Sequence, residues 1–486
     1  MPFAAFFVAF LLLLCIPRRS RKLAVCLLLG ALAGLCAVHT TSARLERARA
    51  NYAGRTVLLT AEVERADSNY FSDTVDATLW VESVNGSPAG FRIACAELPA
   101  CAAGQRVQGW FTLQQPDMEE QTAQYADGIA LQAEPLAEKP QLTVLGESGS
   151  FRARTHRLQQ KLSESLRRAM HRDTGGVLAA MTMGDRSGLS AQLRSAYRGA
   201  GLAHVLVVSG LHVTIFCGLL DALPHKERER SRAYRRARSL LRAGTALLLV
   251  GITGATPSVL RAAVAVWVSS LGVWVGGPAD TLTSLGAAGV LMCLGNGYAV
   301  YDVGFELSFA AVMGTLAGAE CAGRGRERYY DRKKKRKSRR EKPSRAVLLF
   351  RRFAGGVWDS LCVSLCASAA TFPVLVLRGM STTVWAVASG VVVLWLVGPM
   401  LSFGLGAALL GLAAEGLPLF EIIRRPAAFC VEGLAWLMNE WAFRVSVLPG
   451  ASLWFDGTYA ALVCLALILL CVMAMRRHIR LRVALP

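Results

Sequence analysis

Long apolar runs are the feature that most limits what this chain can become. They lie at 2–16 and 23–38, then near 202–221, 240–254, 258–275, 281–297, 304–320, 354–377, 384–398, 400–414 and 459–475. Hydrophobic residues make up 53% of the 486-residue chain. A backbone in lipid must satisfy every N–H and C=O internally, so such runs form helices that cross the bilayer. The pattern excludes an ordinary soluble fold. It predicts a polytopic α-helical membrane protein with about 11 spans, some broken, because several runs fall short of the roughly 20 residues a simple crossing needs. Residues 425–447 are more amphipathic and are expected in the membrane interface.

Charge sets the expected orientation. The formal net charge is +20, and much of it sits between the first two runs (PRRSRK), in loops 225–242 and 323–352, and in the tail at 476–482. Membrane topology by itself keeps Lys/Arg-rich loops in the cytoplasm. The net charge is therefore weak evidence for a nucleic-acid partner. With the first loop inside, residue 39 onward emerges outside. No basic region precedes the first run, so it reads as a span and not as a cleaved signal.

Residues 45–147 change character. Alternating segments appear at 56–66, 74–84, 91–98 and 105–115, with turn signals at Asn85-Gly86 and Asp127-Gly128. This predicts an inserted small β-barrel or sandwich of about five strands, OB-like in size and extracytoplasmic in placement. Cys95 and Cys101 lie in this polar segment and form a candidate disulfide if it faces outside. Most other cysteines fall within apolar runs and act there as small hydrophobes. The region 148–200 reads as amphipathic and helical at the membrane surface, with Phe151, Leu158, Leu162, Leu166 and Met170 at helical spacing. Its alternative reading is a positive collar at the mouth of a pathway.

Polar residues inside apolar runs carry the functional signal. The stretch 199–219, GAGLAHVLVVSGLHVTIFCGL, holds His204, His212, Ser209 and several glycines. Such residues at membrane depth are kept mostly where they face other helices or a watery path. Two readings stay open: a helix packed closely through glycine, or a broken helix lining a translocation route. TGATPSVLRAAV (253–264) sets Pro257 between apolar arms, with Arg261 just beyond. DVGFELSF (302–309) places Asp302 and Glu306 on one helical face. CASAATFPVLVLRGM (366–380) carries Pro373 and Arg378. Arg261 and Glu306 are a candidate pair within the bundle. No HExxH, GxSxG or protease-type aspartyl pair is present, and Ser209 and His212 lack a nearby carboxylate. No enzyme activity is expected.

At these residues the chain resembles the ComEC family of competence proteins. MTMGDRSGLSAQLRSAYRGAGLAHVLVVSGLHVTIF (181–216) is similar to that family's most recognisable segment, including the GLxHxLxxSGLHV core. TGATPSVLRAAV, DVGFELSFAAVMG and ATFPVLVLRGMS resemble its next blocks, in order. The resemblance implies a channel of the bacterial cytoplasmic (inner) membrane that passes single-stranded DNA during natural transformation. The alternative is a transporter of another polyanion or amphiphile on the same scaffold. The implied domains are two N-terminal helices (1–44), the OB-like domain (45–147), the amphipathic region (148–200) and a channel domain (201–486). Carried over by position, the implied DNA path includes Gly201, His204, Ser209, Gly210, His212, Pro257, Arg261, Asp302, Phe305, Glu306 and Pro373. Implied partners are single-stranded DNA, the lipid bilayer and other competence proteins: a DNA receptor, a helicase-like translocase and a separate nuclease. Many family members carry a metallo-β-lactamase-like domain. Here His39, His156, His171, His204, His212, His225 and His478 form no HxHxDH cluster. No metal nuclease and no cofactor are expected. The 323–352 loop reads first as a solvated positive-inside loop, and second as a hold on DNA at the cytoplasmic exit.

Overall fold

A computed structural model describes residues 18–68, 74–99, 101–117, 121–136, 142–221, 231–276, 280–335, 345–414, 416 and 419–455. The runs expected at 2–16 and 459–475, and the basic tail, lie outside these residues. The chain divides into two compact units: residues 1–157, 230–243 and 260–302, and residues 158–229, 244–259 and 303–486.

The first unit opens on helix α1, Arg18–Tyr52, whose 35 residues run past the boundary expected near 44. Six strands follow: β1 Thr56–Ser68, β2 Thr74–Val84, β3 Ser87–Pro99, β4 Gln105–Gln114, β5 Ile129–Pro135 and β6 Thr143–Glu147. Helix α2, Gln121–Ala126, lies between β4 and β5. The alternation in β2 puts Val75, Ala77, Leu79 and Val81 inside, and they pack with Leu59, Ala61, Val63, Ile93, Val107, Phe111 and Leu131. Strands pair in the order β1-β2-β3-β5-β4, and β4 pairs back onto β1, so the ladder returns to its first strand. The β3–β5 pairing is parallel. Asn85 (φ 49°) and Gly86 (φ 82°) make the β2–β3 turn. Positive φ at both positions matches the right-handed twist of a two-residue hairpin.

Cys95 and Cys101, the candidate disulfide pair, are both free thiols in this structure. Cys95 faces the sheet core, where burial and neighbouring groups push its pKa up to about 12. Burial raises Cys101 to about 11. Each thiol is held as the unreactive, protonated form at neutral pH.

The first unit also includes residues of helix α7 (Arg232–Thr253), helix α8 (Pro257–Val275) and helix α9 (Thr281–Gly295). Trp267 Nε1 donates to Ala243 O at 3.1 Å and Trp274 Nε1 to Ser239 Oγ at 3.0 Å, pinning α8 to the basic half of α7. Arg236 lies over the Trp274 ring at 5.0 Å. Much of the segment expected as loop 225–242 is therefore helix: 232–242 extend an apolar run by amphipathic sequence that tryptophan can cover.

The second unit is helical: α3 (Phe151–Ala169) from Leu158, α4 (Arg172–Met183), α5 (Ala191–Gly199), α6 (Gly210–Asp221), the end of α7 and start of α8, α10 (Val303–Lys335), α11 (Arg345–Leu377), α12 (Ala386–Ala414) and α13 (Leu419–Ser446). The basic segment expected as loop 323–352 is helical up to 335 and again from 345. The runs 384–398 and 400–414, expected as two spans, are one helix with Pro399 inside it. One proline removes a single backbone donor, and the continuous apolar surface on both sides keeps the helix going. From Leu158 onward much of the apolar stripe of α3 packs on protein, while Phe151 stays exposed. Gln159 Nε2 donates to Met183 O at 2.7 Å, Ser165 Oγ to Ala408 O at 3.3 Å, and Leu162 and Leu166 are buried.

Helices α10 and α11 meet through Gly314 and Gly318. A Cβ on Gly314 would lie 2.5 Å from Cys366 O, and one on Gly318 would lie 2.6 Å from Val363 Cα. Only hydrogen at these positions lets the backbones approach, as in small-xxx-small packing of membrane helices.

Among the described residues, three helices are long and apolar enough to cross a membrane: Pro257–Val275, Arg352–Leu377 and Ala386–Ala414. Gly210–Leu219 and Thr281–Gly295 are apolar but shorter.

Candidate functional site

The stretch from Gly199 to Leu219 is discontinuous. Helix α5 ends at Gly199, a 3₁₀ turn covers Ala203–Val205, and α6 starts at Gly210. Glycine makes the first break. Gly201 has φ +73°, and a Cβ there would meet Thr383 Cγ2 at 2.8 Å and Ala386 Cα at 2.9 Å. The position therefore demands both left-handed backbone and missing side-chain volume. His204 closes the turn locally, with Nδ1 3.1 Å from Gly201 O.

The SGLH motif is a helix cap. Ser209 O receives the backbone N–H of His212 at 3.1 Å. In return His212 Nδ1 accepts the Ser209 N–H at 3.0 Å and lies 2.9 Å from Ser209 Oγ. This is the return half of a capping box, the side chain three residues on accepting the cap's backbone N–H, with histidine where glutamate or glutamine usually stands. Nδ1 is the acceptor, so a neutral ring carries its proton on Nε2. His212 is 1% exposed, and its Nε2 has no hydrogen-bond partner among the described residues. Gly210 begins α6, and its carbonyl accepts from Thr214 Oγ1 at 2.9 Å.

The preceding MGDRSG loop is held by its aspartate. Asp185 accepts from Ser187 N at 3.0 Å, Ser187 Oγ at 2.7 Å and Arg167 Nη2 at 2.8 Å. A Cβ on Gly184 would touch Val208 Cγ2 at 3.4 Å and Thr253 Cα at 3.7 Å, so the end of α4 separates the broken segment from the end of α7. There the chain turns through Gly254 (φ 79°) and Ala255 (φ 57°), and Pro257 opens α8. Proline suits that first helical position, because its missing donor has no partner to lose. Ser258 and Ser308 meet hydroxyl to hydroxyl at 3.2 Å, joining the start of α8 to α10.

Phe305 and Glu306 lie in the first turns of α10. Phe305 stacks on Phe309 at 4.2 Å between centroids. Glu306 is gripped by Arg378 at two points, Nη2 to Oε1 at 2.6 Å and Nε to Oε2 at 3.0 Å. Arg378 was legible as a charge ending an apolar run, yet not as the partner of Glu306. It stands where α11 stops: Gly379 N bonds Val376 O and Met380 N bonds Leu375 O, a Schellman closure around Gly379 (φ 61°). Pro373 sits within α11, one residue after Phe372, which meets Phe455 edge-on at 5.4 Å. Thr382 and Leu453 exchange backbone bonds at 3.0 and 2.8 Å, and Thr383 Oγ1 donates to Gly450 O at 3.2 Å.

These contacts join Gly201, Ser209, His212, Pro257, Phe305, Glu306 and Pro373 within one unit. Arg261, on α8, and Asp302, just before α10, belong to the other unit. There Asp127 feels the negative charge of Asp302. Sequence reading missed Thr383 and the buried Tyr197–Asn439 bond at 2.7 Å. No local pattern marks either, because each partner lies in a distant segment. Among the described residues no group of three or more His, Cys, Asp or Glu is arranged to hold a metal.

The ComE operon protein 3 of Bacillus subtilis (strain 168) is 35% identical over 139 residues. That segment is 28% of this chain and 17% of the relative's length. No solved structure matches. The family described as Competence protein matches residues 181–480, well over half of the sequence and all of the cluster built above, and the chain belongs to that family.

Proposed function

We propose that the protein is a channel of the bacterial inner membrane that admits a single DNA strand during natural transformation. The observation that carries this reading is the break between Gly199 and Gly210, which sets irregular backbone beside apolar helices, next to a buried histidine whose Nε2 has no partner among the described residues. Irregular backbone at membrane depth is tolerated only in protein or beside a watery cavity. A polyanion in transit needs donors and positive charge along its path. In this reading the β-unit is an OB-type barrel on the outer side, an assignment supported by the returning ladder and the parallel β3–β5 pair. The chain performs no catalytic step. A separate nuclease, a DNA receptor and a helicase-like translocase complete the system. Deletion of the gene is expected to abolish transformation while surface binding of DNA persists. Normal transformation in the deletion strain would refute the assignment.

A further inference from the structure

A cavity of about 450 Å³ opens between the end of α3 and the first half of α13, lined by Arg168, Glu421, Arg424, Arg425, Phe429 and Glu432. Its carboxylates are already engaged by protein. Glu432 Oε1 accepts from His171 N at 2.8 Å and Thr174 Oγ1 at 3.4 Å, which anchors the start of α4. Glu421 Oε1 takes Arg424 Nη2 at 2.9 Å, with Arg425 Nε 3.7 Å away. The guanidiniums differ. Arg424 is fixed, with its side chain 13% exposed. Arg425 is 79% exposed, and Arg168 is 67% exposed and bound through Nε to Glu164. Among the described residues no partner meets the terminal N–H groups of either, which leaves them to close on an anion.

The rim is apolar. Leu419, Ile422, Ile423 and Phe429 are exposed large hydrophobics on the same helix. A basic pocket beside a bare apolar face suits a molecule with a phosphate at one end and hydrocarbon at the other. Free phosphate would leave that face uncovered, and so would a DNA strand. Anionic headgroups at a membrane surface attract arginine.

We propose that this pocket binds the headgroup of an anionic glycerophospholipid, with its acyl chains lying along Ile422 and Phe429. The inference does not depend on DNA transport. The test uses delipidated full-length protein in detergent, with lipid retention read by native mass spectrometry. Phosphatidylglycerol is expected to be retained at least tenfold more than phosphatidylcholine. The double variant Arg168→Gln/Arg425→Gln should lose that preference, the corresponding Lys variant should keep it, and Arg444→Gln, at the opposite end of α13, should not change it. Equal retention of the two lipids would overturn the proposal. So would an unchanged preference in the double Gln variant, or displacement of phosphatidylglycerol by inorganic phosphate or by a single-stranded oligonucleotide at equal concentration.

Discussion

At the scale of residues, the most informative atom pair is Ser209 N–H with His212 Nδ1. Sequence reading identified both residues as candidates for the path, and the structure shows that one ring nitrogen is committed to starting a helix. The two roles of the imidazole can be separated. Glutamine at this position can still accept the capping bond, whereas alanine cannot. Loss of such a cap costs about 1 kcal/mol. His212→Ala is expected to lower the amount of membrane-inserted protein. His212→Gln should restore that amount while transformation stays at least tenfold below wild type, because the amide N–H groups of glutamine, once its oxygen holds the cap, are not held where the imidazole Nε2–H points. Measurement of transformants against inserted protein checks this. Wild-type transformation by the Gln variant would make His212 a cap and nothing more. Gly201 teaches a related point. Its glycine was visible in sequence, but the Thr383 and Ala386 atoms that forbid a side chain come from a helix start far along the chain.

At the scale of elements, the apolar runs among the described residues fall on helices and the alternating segments on strands, but boundaries shift, and three helices there are long and apolar enough to cross a membrane. The alternating segments at 56–66, 74–84, 91–98 and 105–115 fall within β1 to β4, give or take a terminal residue. The 384–414 region departs from expectation because proline marks a helix end in water more dependably than in an apolar bundle. The closeness of α10 and α11 gives a sharp test. Gly318 has no room for a methyl group, whereas Gly323, five residues along the same helix, has nothing within 4 Å of where a methyl carbon would sit. Gly318→Ala must push the helices apart and is expected to destabilise the protein by several kcal/mol, on the order of a severe overpacking change. Gly323→Ala should stabilise it by about 0.5–1 kcal/mol through helix propensity alone. Thermal unfolding of the purified variants decides the matter, and equal midpoints would show that the helices do not pack through this face.

At the scale of the molecule, residues far apart in sequence set each other's chemistry. Burial first, and the charge of Asp302 second, raise the pKa of Asp127, while Arg65 and Arg92 oppose them. A carboxylate whose pKa is raised by folding binds its proton more tightly in the folded state. The charged form is then a cost, absent below the ordinary value of 3.8 and growing as pH rises towards the raised value. Asp127→Asn removes that cost and keeps a turn-forming residue before Gly128. The variant is expected to melt higher than wild type at neutral pH and to lose that advantage in acid near the ordinary carboxylate range. A difference that is independent of pH would contradict the account. Nothing in local sequence around Asp127 announces this coupling, just as nothing around Glu306 names Arg378. What the sequence alone determined was solvent preference and period: which segments seek lipid, which alternate, and which ordered motifs mark a competence protein. Those properties are local, since they depend on each residue and its near neighbours. Partnership was decided only by tertiary structure, because the strand that completes the ladder, the helix that excludes a Cβ and the arginine that meets a carboxylate are chosen by packing across the chain.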